Sequence, residues 1–325
     1  MLRRRTLVAL PLAGLAVPAL AQSAPWPSRG PVRLISTFPP GGFADTMARL
    51  LAAELGPRIG QSVVVENRVG AGGTIGAAAA AQAAPDGYTL VMSHSSPFGV
   101  AAGTYPNLPY NVVDDFTHLA LLAESANLLM VKGDSPLRTL ADYIALARRQ
   151  SVRYGSSGVG SGTHLMGEVL ARSANLPNLD HIPYRGSAPA LQDLLAGRIE
   201  SVFDPITTNT QMIREGQVHV LALSTPARIP AFPAIPTFAE QGYPQLTNTT
   251  WAGLSAPKGL PPEIAARLTE AAVASMAAPA VAQRLEQLAN YAPSPPVTGA
   301  AYAAFIRDFA TRWGNVARQA GITAS

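Results

Sequence analysis

The chain contains no cysteine in its 325 residues, and lysine occurs only at Lys132 and Lys258. Without cysteine there are no disulfide bonds, no cysteine nucleophile, no thiolate metal ligand and no cysteine to carry a lipid anchor. A chain of this length buries enough surface to fold without disulfides. The same length favours two domains over one.

Acidic residues are absent before Asp45. In this segment three arginines at positions 3–5 precede an apolar run over residues 7–20, and residues 19–21 match the A-x-A cleavage pattern. Residues 1–21 are therefore predicted to be a cleavable signal peptide, because the apolar run is too short and too interrupted by proline to span a membrane. We expect export to the periplasm by the Sec route, with the Tat route left open by the paired arginines.

Basic clusters and further long apolar runs are missing from the rest of the chain. The formal net charge is +4, but residues 22–325 hold 21 basic and 20 acidic residues. Nucleic acid is not expected as a partner of a chain with this balance. No other stretch approaches the roughly 18 uninterrupted apolar residues of a bilayer span, so a soluble protein is expected.

Short apolar segments alternate with helical segments along residues 22–325. Strands are predicted over residues 32–36, 63–66, 88–92, 128–131, 152–155, 181–184, 201–204 and 218–223. Helices are predicted over residues 45–56, 73–85, 139–149, 163–174, 188–195, 208–214, 262–276, 280–288 and 298–320. This order is typical of the α/β class, with a mostly parallel sheet covered by helices on both faces.

The strands and helices fall into two sets, and no segment of unusual composition joins them. We expect a first lobe formed by residues 22–123 and 225–325 and a second lobe formed by residues 124–224. The chain then crosses between the lobes more than once.

The loop after the first predicted strand combines two prolines, two glycines and a helix start. Phe38 begins it, Gly41 and Gly42 let the backbone approach a ligand closely, and Asp45 can cap the helix that follows. Exposed N–H groups at a helix N-terminus attract anions. We favour an anion-binding loop over the alternative, an ordinary turn between a strand and a helix.

A loop rich in glycine and serine, over residues 155–164, has the same arrangement between a strand and a helix. Ser157, Gly160, Thr163 and His164 are its candidate ligand-binding residues, because small residues and hydroxyls suit carboxylate oxygens. A flexible surface loop is the alternative. Ligands of open α/β sheets bind beyond the carboxyl ends of the strands, so the two loops predict one cleft.

Two further candidates follow strand ends. Ser93 lies in the polar segment 93–96 after the third predicted strand, and Asp204 ends a later strand. Either residue is placed to line the same cleft. A lone polar residue in such a position is as often structural.

Motifs of enzymes and cofactor sites are missing. No serine has a glycine two residues before and two after it, residues 70–75 lack the last glycine of G-x-G-x-x-G, and no P-loop lysine is present. The five histidines lack the spacing of a metal site. Neither an enzyme nor a cofactor is expected. A serine hydrolase using Ser157 and His164 is the enzyme alternative.

Several segments taken together resemble the Bug/TctC family, the extracytoplasmic solute receptors of tripartite tricarboxylate transporters. These segments are residues 38–42 with Asp45, 63–68, 70–73, 84–90, 108–110, 115–116 and 183–186, with Trp313 near the end. The resemblance covers essentially all of residues 22–325. It implies a periplasmic-binding-protein-like fold, two α/β lobes around a ligand cleft, and a small organic carboxylate that is delivered to the membrane components of the transporter.

The resemblance also implies roles for particular residues. Opposing loops of the two lobes would hold the carboxylate, and the residues that match are Phe38, Gly41, Gly42, Asp45, Ser157, Gly160, Thr163 and His164. Asp204 would face the distal end of the ligand.

The chain departs from the family pattern at two places. Many relatives have Gly-Thr where this chain has Phe43-Ala44, and a lysine where it has Arg185. Because Phe43 adds an aromatic ring beside the pocket, we expect a bulkier or aromatic carboxylate. A monomer is expected, and a receptor that presents its ligand to a sensor protein is the alternative to transport.

Overall fold

The computed structural model describes residues 26–319 and 321–323, so the predicted signal peptide lies outside the described residues. Within them the strands form one sheet, ordered β2-β1-β3-β9-β4-β7-β5-β6, with β8 and β10 also paired to β4. The strands are β1 (Val32–Ser36), β2 (Val63–Asn67), β3 (Thr89–His94), β4 (Phe116–Lys132), β5 (Val152–Ser156), β6 (Leu179–Pro183), β7 (Ser201–Pro205), β8 (Val218–Leu223), β9 (Thr249–Pro257) and β10 (Asn290–Tyr291).

Helices follow most of these strands. They are α1 (Phe43–Ile59), α2 (Thr74–Ala81), α3 (Ala101–Thr104), α4 (Leu140–Arg149), α5 (Gly162–Ser173), α6 (Ser187–Leu195), α7 (Thr210–Arg214), α8 (Pro262–Met276), α9 (Pro279–Gln287) and α10 (Gly299–Gln319). Across the described ranges, no single helix is long and apolar enough to span a membrane. The pair α8 and α9, bent by 61°, meets that test of length and composition only when taken together.

The sheet is mixed, which corrects the expectation of a mostly parallel one. Parallel pairing joins β1 to β2 and β3, and β5 to β6 and β7. Antiparallel pairing joins β9 to β3 and β4, and β4 to β7, β8 and β10. Strand β9 and most of β4 were not predicted from the sequence. Both strands are buried along nearly their whole length, so they lack the alternation that marks a half-exposed strand.

Strand β4 runs through both halves of the sheet. Its residues 116–126 pair with β9, and its residues 127–132 pair with β7 and β8. Helices cover both faces of each half: α1 and α8 lie opposite α2 and α10 in the first half, and α4 and α5 lie opposite α6 in the second. This arrangement is that of two α/β layers joined by a shared strand.

The division into lobes at residues 123/124 and 224/225 stays a prediction. The packing of some side chains after residue 225 differs from what this division implies. Phe238, Leu246 and Trp313 belong to the buried cluster beneath α4 and α5, in the second half of the sheet. From the sequence these three residues were predicted to belong to the first lobe. The carboxyl ends of β1, β3, β5, β6 and β7 all point to one region, where the loops that follow them meet.

Candidate ligand-binding cleft

The loops after β1, β3, β5, β6 and β7 enclose a cavity of about 200 Å³. Its hydroxyl-bearing side chains are Ser96, Ser157, Thr163, Ser187, Thr208 and Thr250. Its apolar side chains are Phe38, Pro39, Pro40, Phe43, Ala44, Ala188, Pro189, Leu191 and Pro205. Gly41, Gly42, Gly186, His94 and Arg185 complete the lining. Among these described lining residues there is no acidic side chain, so the cavity suits a ligand that is anionic and partly apolar.

The loop after β1 brings the N-terminus of α1 to the cavity. Gly41 has φ of +81°, a left-handed conformation that favours glycine, and the N–H of Gly42 donates to the carbonyl oxygen of Pro39 at 3.3 Å. Gly42 precedes the first helical residue, and no side chain of the described residues caps the helix there. The first N–H groups of α1 therefore stay available to an anion.

Asp45 supports this loop from behind. Its carboxylate is 2% exposed and accepts hydrogen bonds from the N–H of Gly41 at 2.9 Å, from Arg49 Nε at 2.9 Å and from Asn67 Nδ2 at 2.8 Å. Burial alone would raise the pKa of Asp45, but these hydrogen bonds outweigh it and hold the pKa below its usual range. Asp45 is absent from the cavity lining and does not cap α1; it fixes the loop that lines the cavity.

The loop after β5 brings Ser157 and Thr163 to the opposite side of the cavity. Their hydroxyl oxygens lie 2.9 Å apart, and the N–H of Ser157 donates to Thr163 Oγ1 at 3.1 Å. Ser161, which the sequence analysis did not single out, caps α5 by accepting from the N–H of His164 at 3.2 Å. Both predicted residues that bear hydroxyls in this loop therefore reach the cavity.

His164 and Gly160 lie behind the same loop. The Nδ1 atom of His164 accepts from the N–H of Gly160 at 3.2 Å, and its ring stacks on His181 at 3.8 Å between centroids. Burial lowers the pKa of His164, although Glu168 opposes this shift. Neither residue lines the cavity. Their contacts hold the shape of the loop instead.

The pair proposed for a serine hydrolase is not assembled. The Ser157 hydroxyl pairs with Thr163, while the ring of His164 accepts from Gly160 through one nitrogen and lies 3.7 Å from Glu168 through the other. No hydrogen bond joins Ser157 to His164 in the described part of the chain. The serine therefore lacks the adjacent base that activates a nucleophile.

Ser93 faces away from the cavity. Its hydroxyl pairs with the Tyr302 hydroxyl at 2.8 Å and with Ser255 Oγ at 3.0 Å, and the side chain is fully buried. Successive side chains on a strand point to opposite sides, so the next residue, His94, reaches the cavity together with Ser96.

The His94 ring forms part of an aromatic wall of the cavity, and its Nδ1 atom accepts from the N–H of Ser96 at 3.1 Å. Its centroid lies 4.8 Å from that of Phe38 and 5.8 Å from that of Phe43. Burial lowers the pKa of His94 to about 3, so the ring is neutral near pH 7. Phe43 is itself 3% exposed and packs into the core beneath α1. Its ring therefore forms a fixed wall of the pocket.

Asp204 lies behind the part of the cavity lining that Ser187 and Thr208 form. Its carboxylate is 1% exposed and accepts from Ser187 Oγ at 2.5 Å, Thr208 Oγ1 at 2.5 Å and Asn209 Nδ2 at 2.8 Å. Burial raises the pKa of Asp204 to about 6 although these hydrogen bonds act to lower it. Asp204 does not line the cavity, but two of its partners, Ser187 and Thr208, do. It orients their hydroxyl groups.

A third helix N-terminus, that of α6, also reaches the cavity and was missed by the sequence analysis. Gly186, Ser187 and Ala188 line the cavity, and no described side chain caps α6 at Gly186. The signal was present, since residues 185–187 follow a predicted strand and precede a predicted helix, as in the other two loops. The N-termini of α1, α5 and α6 thus converge on one cavity, and each carries the positive end of a helix dipole.

The two sides of the cavity touch each other. The N–H of Gly162 donates to Ser96 Oγ at 3.1 Å, which joins α5 to the loop after β3. A Cβ atom at Gly186 would lie 3.0 Å from Pro39 Cγ. The structure is therefore a closed arrangement, in which loops from both halves of the sheet enclose the same space.

The sequence and the fold both match known receptors. The family model described as "Tripartite tricarboxylate transporter family receptor" matches residues 47–322. The fold is similar to the solved structure of the periplasmic binding protein BugD, with a TM-score of 0.86 and 32% identity over 90% of this chain and 98% of that one. MatC from Rhodopseudomonas palustris with bound malate gives a TM-score of 0.84 and 32% identity, covering 89% of this chain and 99% of that one. R. palustris Rpa4515 with adipate gives a TM-score of 0.84 and 31% identity, covering 91% and 99%. The expected two-lobed α/β fold of periplasmic binding proteins is confirmed.

Proposed function

The chain belongs to the family of tripartite tricarboxylate transporter receptors, and from this premise we propose that it captures a small organic carboxylate in the periplasm and delivers it to the membrane components of such a transporter. Three helix N-termini converge on one cavity, and this convergence is the main support for a carboxylate ligand. The solved relatives MatC and Rpa4515 hold malate and adipate, which are both carboxylates.

Capture proceeds by closure of the two lobes. A carboxylate that bridges the uncapped N-termini of α1 and α6 satisfies both sets of N–H groups only when the lobes are closed, so binding shifts the equilibrium towards the closed form. Each charge-assisted hydrogen bond contributes about 1.5–3 kcal/mol. Release then requires only that the lobes reopen at the membrane partner.

The cavity lining supports a ligand with an apolar body. Phe38, Phe43 and Leu191 line it together with several prolines, and His94 is neutral there. We therefore propose a bulkier or aromatic carboxylate. Calorimetry with citrate, benzoate and nicotinate tests this preference: tight binding of citrate and failure of the aromatic acids would contradict it.

Native mass spectrometry of the purified protein tests the function itself. A carboxylate carried through purification is the expected result, and it should exchange with added acid.

Mass measurement of the exported protein also tests the proposed loss of residues 1–21, by Sec or by Tat. A protein that bound no acid but turned over ester substrates would contradict both the receptor function and the proposal that it catalyses no reaction. A monomeric state and the lack of a nucleic-acid partner stay predictions.

A further inference from the structure

Arg185 carries the one formal positive charge among the described residues that line the cavity, since His94 is neutral. The side chain is exposed, and it has no hydrogen-bond or ion-pair partner within residues 26–319 and 321–323. Other arginines of the same half of the sheet are paired: Arg153 lies 2.6 Å from Glu200, and Arg198 lies 2.7 Å from Asp193. Structural ion pairing therefore does not explain why an arginine stands at position 185.

Arg185 also lines a second cavity, of about 450 Å³. Both cavities share Phe38, Pro39, Ser157, Arg185 and Gly186, so Arg185 stands where they meet. The second lining holds no acidic side chain among the described residues. An anionic group at this junction would face a guanidinium with free donors and no competing carboxylate.

We propose that Arg185 is a specificity-determining residue that pairs with a second carboxylate of the ligand, so that the receptor selects dicarboxylates over monocarboxylates of the same skeleton. This inference rests on the proposed function, because the first carboxylate is the one held by the helix N-termini. The neutral N–H groups and hydroxyls hold one anionic group, and among the described residues that line the two cavities Arg185 alone supplies a formal countercharge for another. The aromatic wall formed by Phe38, Phe43 and His94 accommodates the skeleton between the two carboxylates.

Two matched pairs of acids test the inference by calorimetry on the full exported protein. Hexanoate is compared with adipate, and benzoate with terephthalate, so that each pair differs by one carboxylate. The wild type is expected to bind each diacid about fivefold to tenfold more tightly than its partner, the range of a partly exposed ion pair with directed hydrogen bonds. Arg185→Gln is expected to remove that preference, because it weakens the diacids by more than the monoacids. Arg185→Lys keeps the charge and should keep part of the preference.

Arg149→Gln is the matched control. Arg149 is an exposed arginine at the end of α4 that lines neither cavity, and its substitution removes the same charge. It should leave the preference for diacids intact. If the wild type binds the monoacids as tightly as the diacids, or if Arg185→Gln weakens both equally, the role of Arg185 is wrong while the carboxylate receptor stands. If the wild type binds none of the four acids, the inference is contradicted; if it also carries no carboxylate through purification, the proposed function is contradicted as well.

Discussion

Removal of the Asp45 carboxylate tests whether the loop after β1 is the anion-binding loop. In Asp45→Ala, the N–H of Gly41 and the side-chain amide of Asn67 each lose a buried acceptor, at a cost of about 1–2 kcal/mol apiece. The ion pair with Arg49 adds at most about 1 kcal/mol, because the Arg49 side chain is 54% exposed. We expect the free energy of unfolding to fall by about 3 kcal/mol, which leaves a typical domain folded.

The same change should also weaken ligand binding, although Asp45 does not line the cavity. Without its acceptor the N–H of Gly41 no longer fixes the loop, and the N–H groups of α1 lose their preset direction towards the ligand. A loss of affinity of about tenfold or more is expected, equivalent to about 1.4 kcal/mol. Urea unfolding measures the stability, and calorimetry with the acid that the wild type binds most tightly measures the affinity.

Asp142→Ala provides the matched control. Asp142 is also the third residue of a helix, and it forms a capping box with Thr139; neither residue lines the cavity. Its removal should lower stability through the loss of the capping box and leave the affinity unchanged. If Asp45→Ala lost stability but kept its affinity within twofold, the loop after β1 would not be part of the ligand site.

Three further changes test closure and pH dependence. Gly186→Ala sets a Cβ 3.0 Å from Pro39 Cγ at φ of +112°, so calorimetry should register about a tenfold loss of affinity as the lobes are held apart. Ser96→Ala removes the acceptor of the Gly162 N–H, and an affinity loss of about threefold to tenfold is expected; an unchanged affinity would mean that this hydrogen bond does not support closure. Burial lowers the pKa of His118 to about 4. Below pH 6.5 the unfolded chain therefore binds a proton that the folded chain excludes, and the free energy of unfolding decreases as the pH is lowered. Urea unfolding at pH 7 and pH 5 should therefore show a loss that is about 2 kcal/mol smaller in His118→Gln than in the wild type.

Local patterns in the sequence predicted several of the strands and helices that position the site. The predicted bounds of the strands at 32–36 and 218–223 and of the helix at 262–276 match β1, β8 and α8. These segments have clear turn or cap residues at both ends, so their limits depend on neighbours in sequence. Ligands of open α/β sheets bind beyond the carboxyl ends of the strands, and this rule predicted that the two loops line one cavity.

Spacing alone did not separate residues that line the cavity from residues that support it. Four predicted site residues lie in the predicted loops or at a strand end but do not face the cavity: Asp45, Gly160, His164 and Asp204. Their polar groups form hydrogen bonds within the loops instead. The difference depends on how each loop turns, which distant contacts decide. Ser93 is the clearest case, because its partner Tyr302 lies 209 residues further along the chain.

The uncapped helix ends have a consequence for the kinetics of ligand encounter. The field of a helix end falls off within about one turn and is weak at long range. Once residues 1–21 are removed as we propose, the remaining chain carries almost balanced charge and exerts little distant attraction on an anion. Acids therefore reach the cleft by unassisted diffusion, and the association rate should respond only weakly to ionic strength. Differences in affinity between acids then arise mainly in how long each one stays bound.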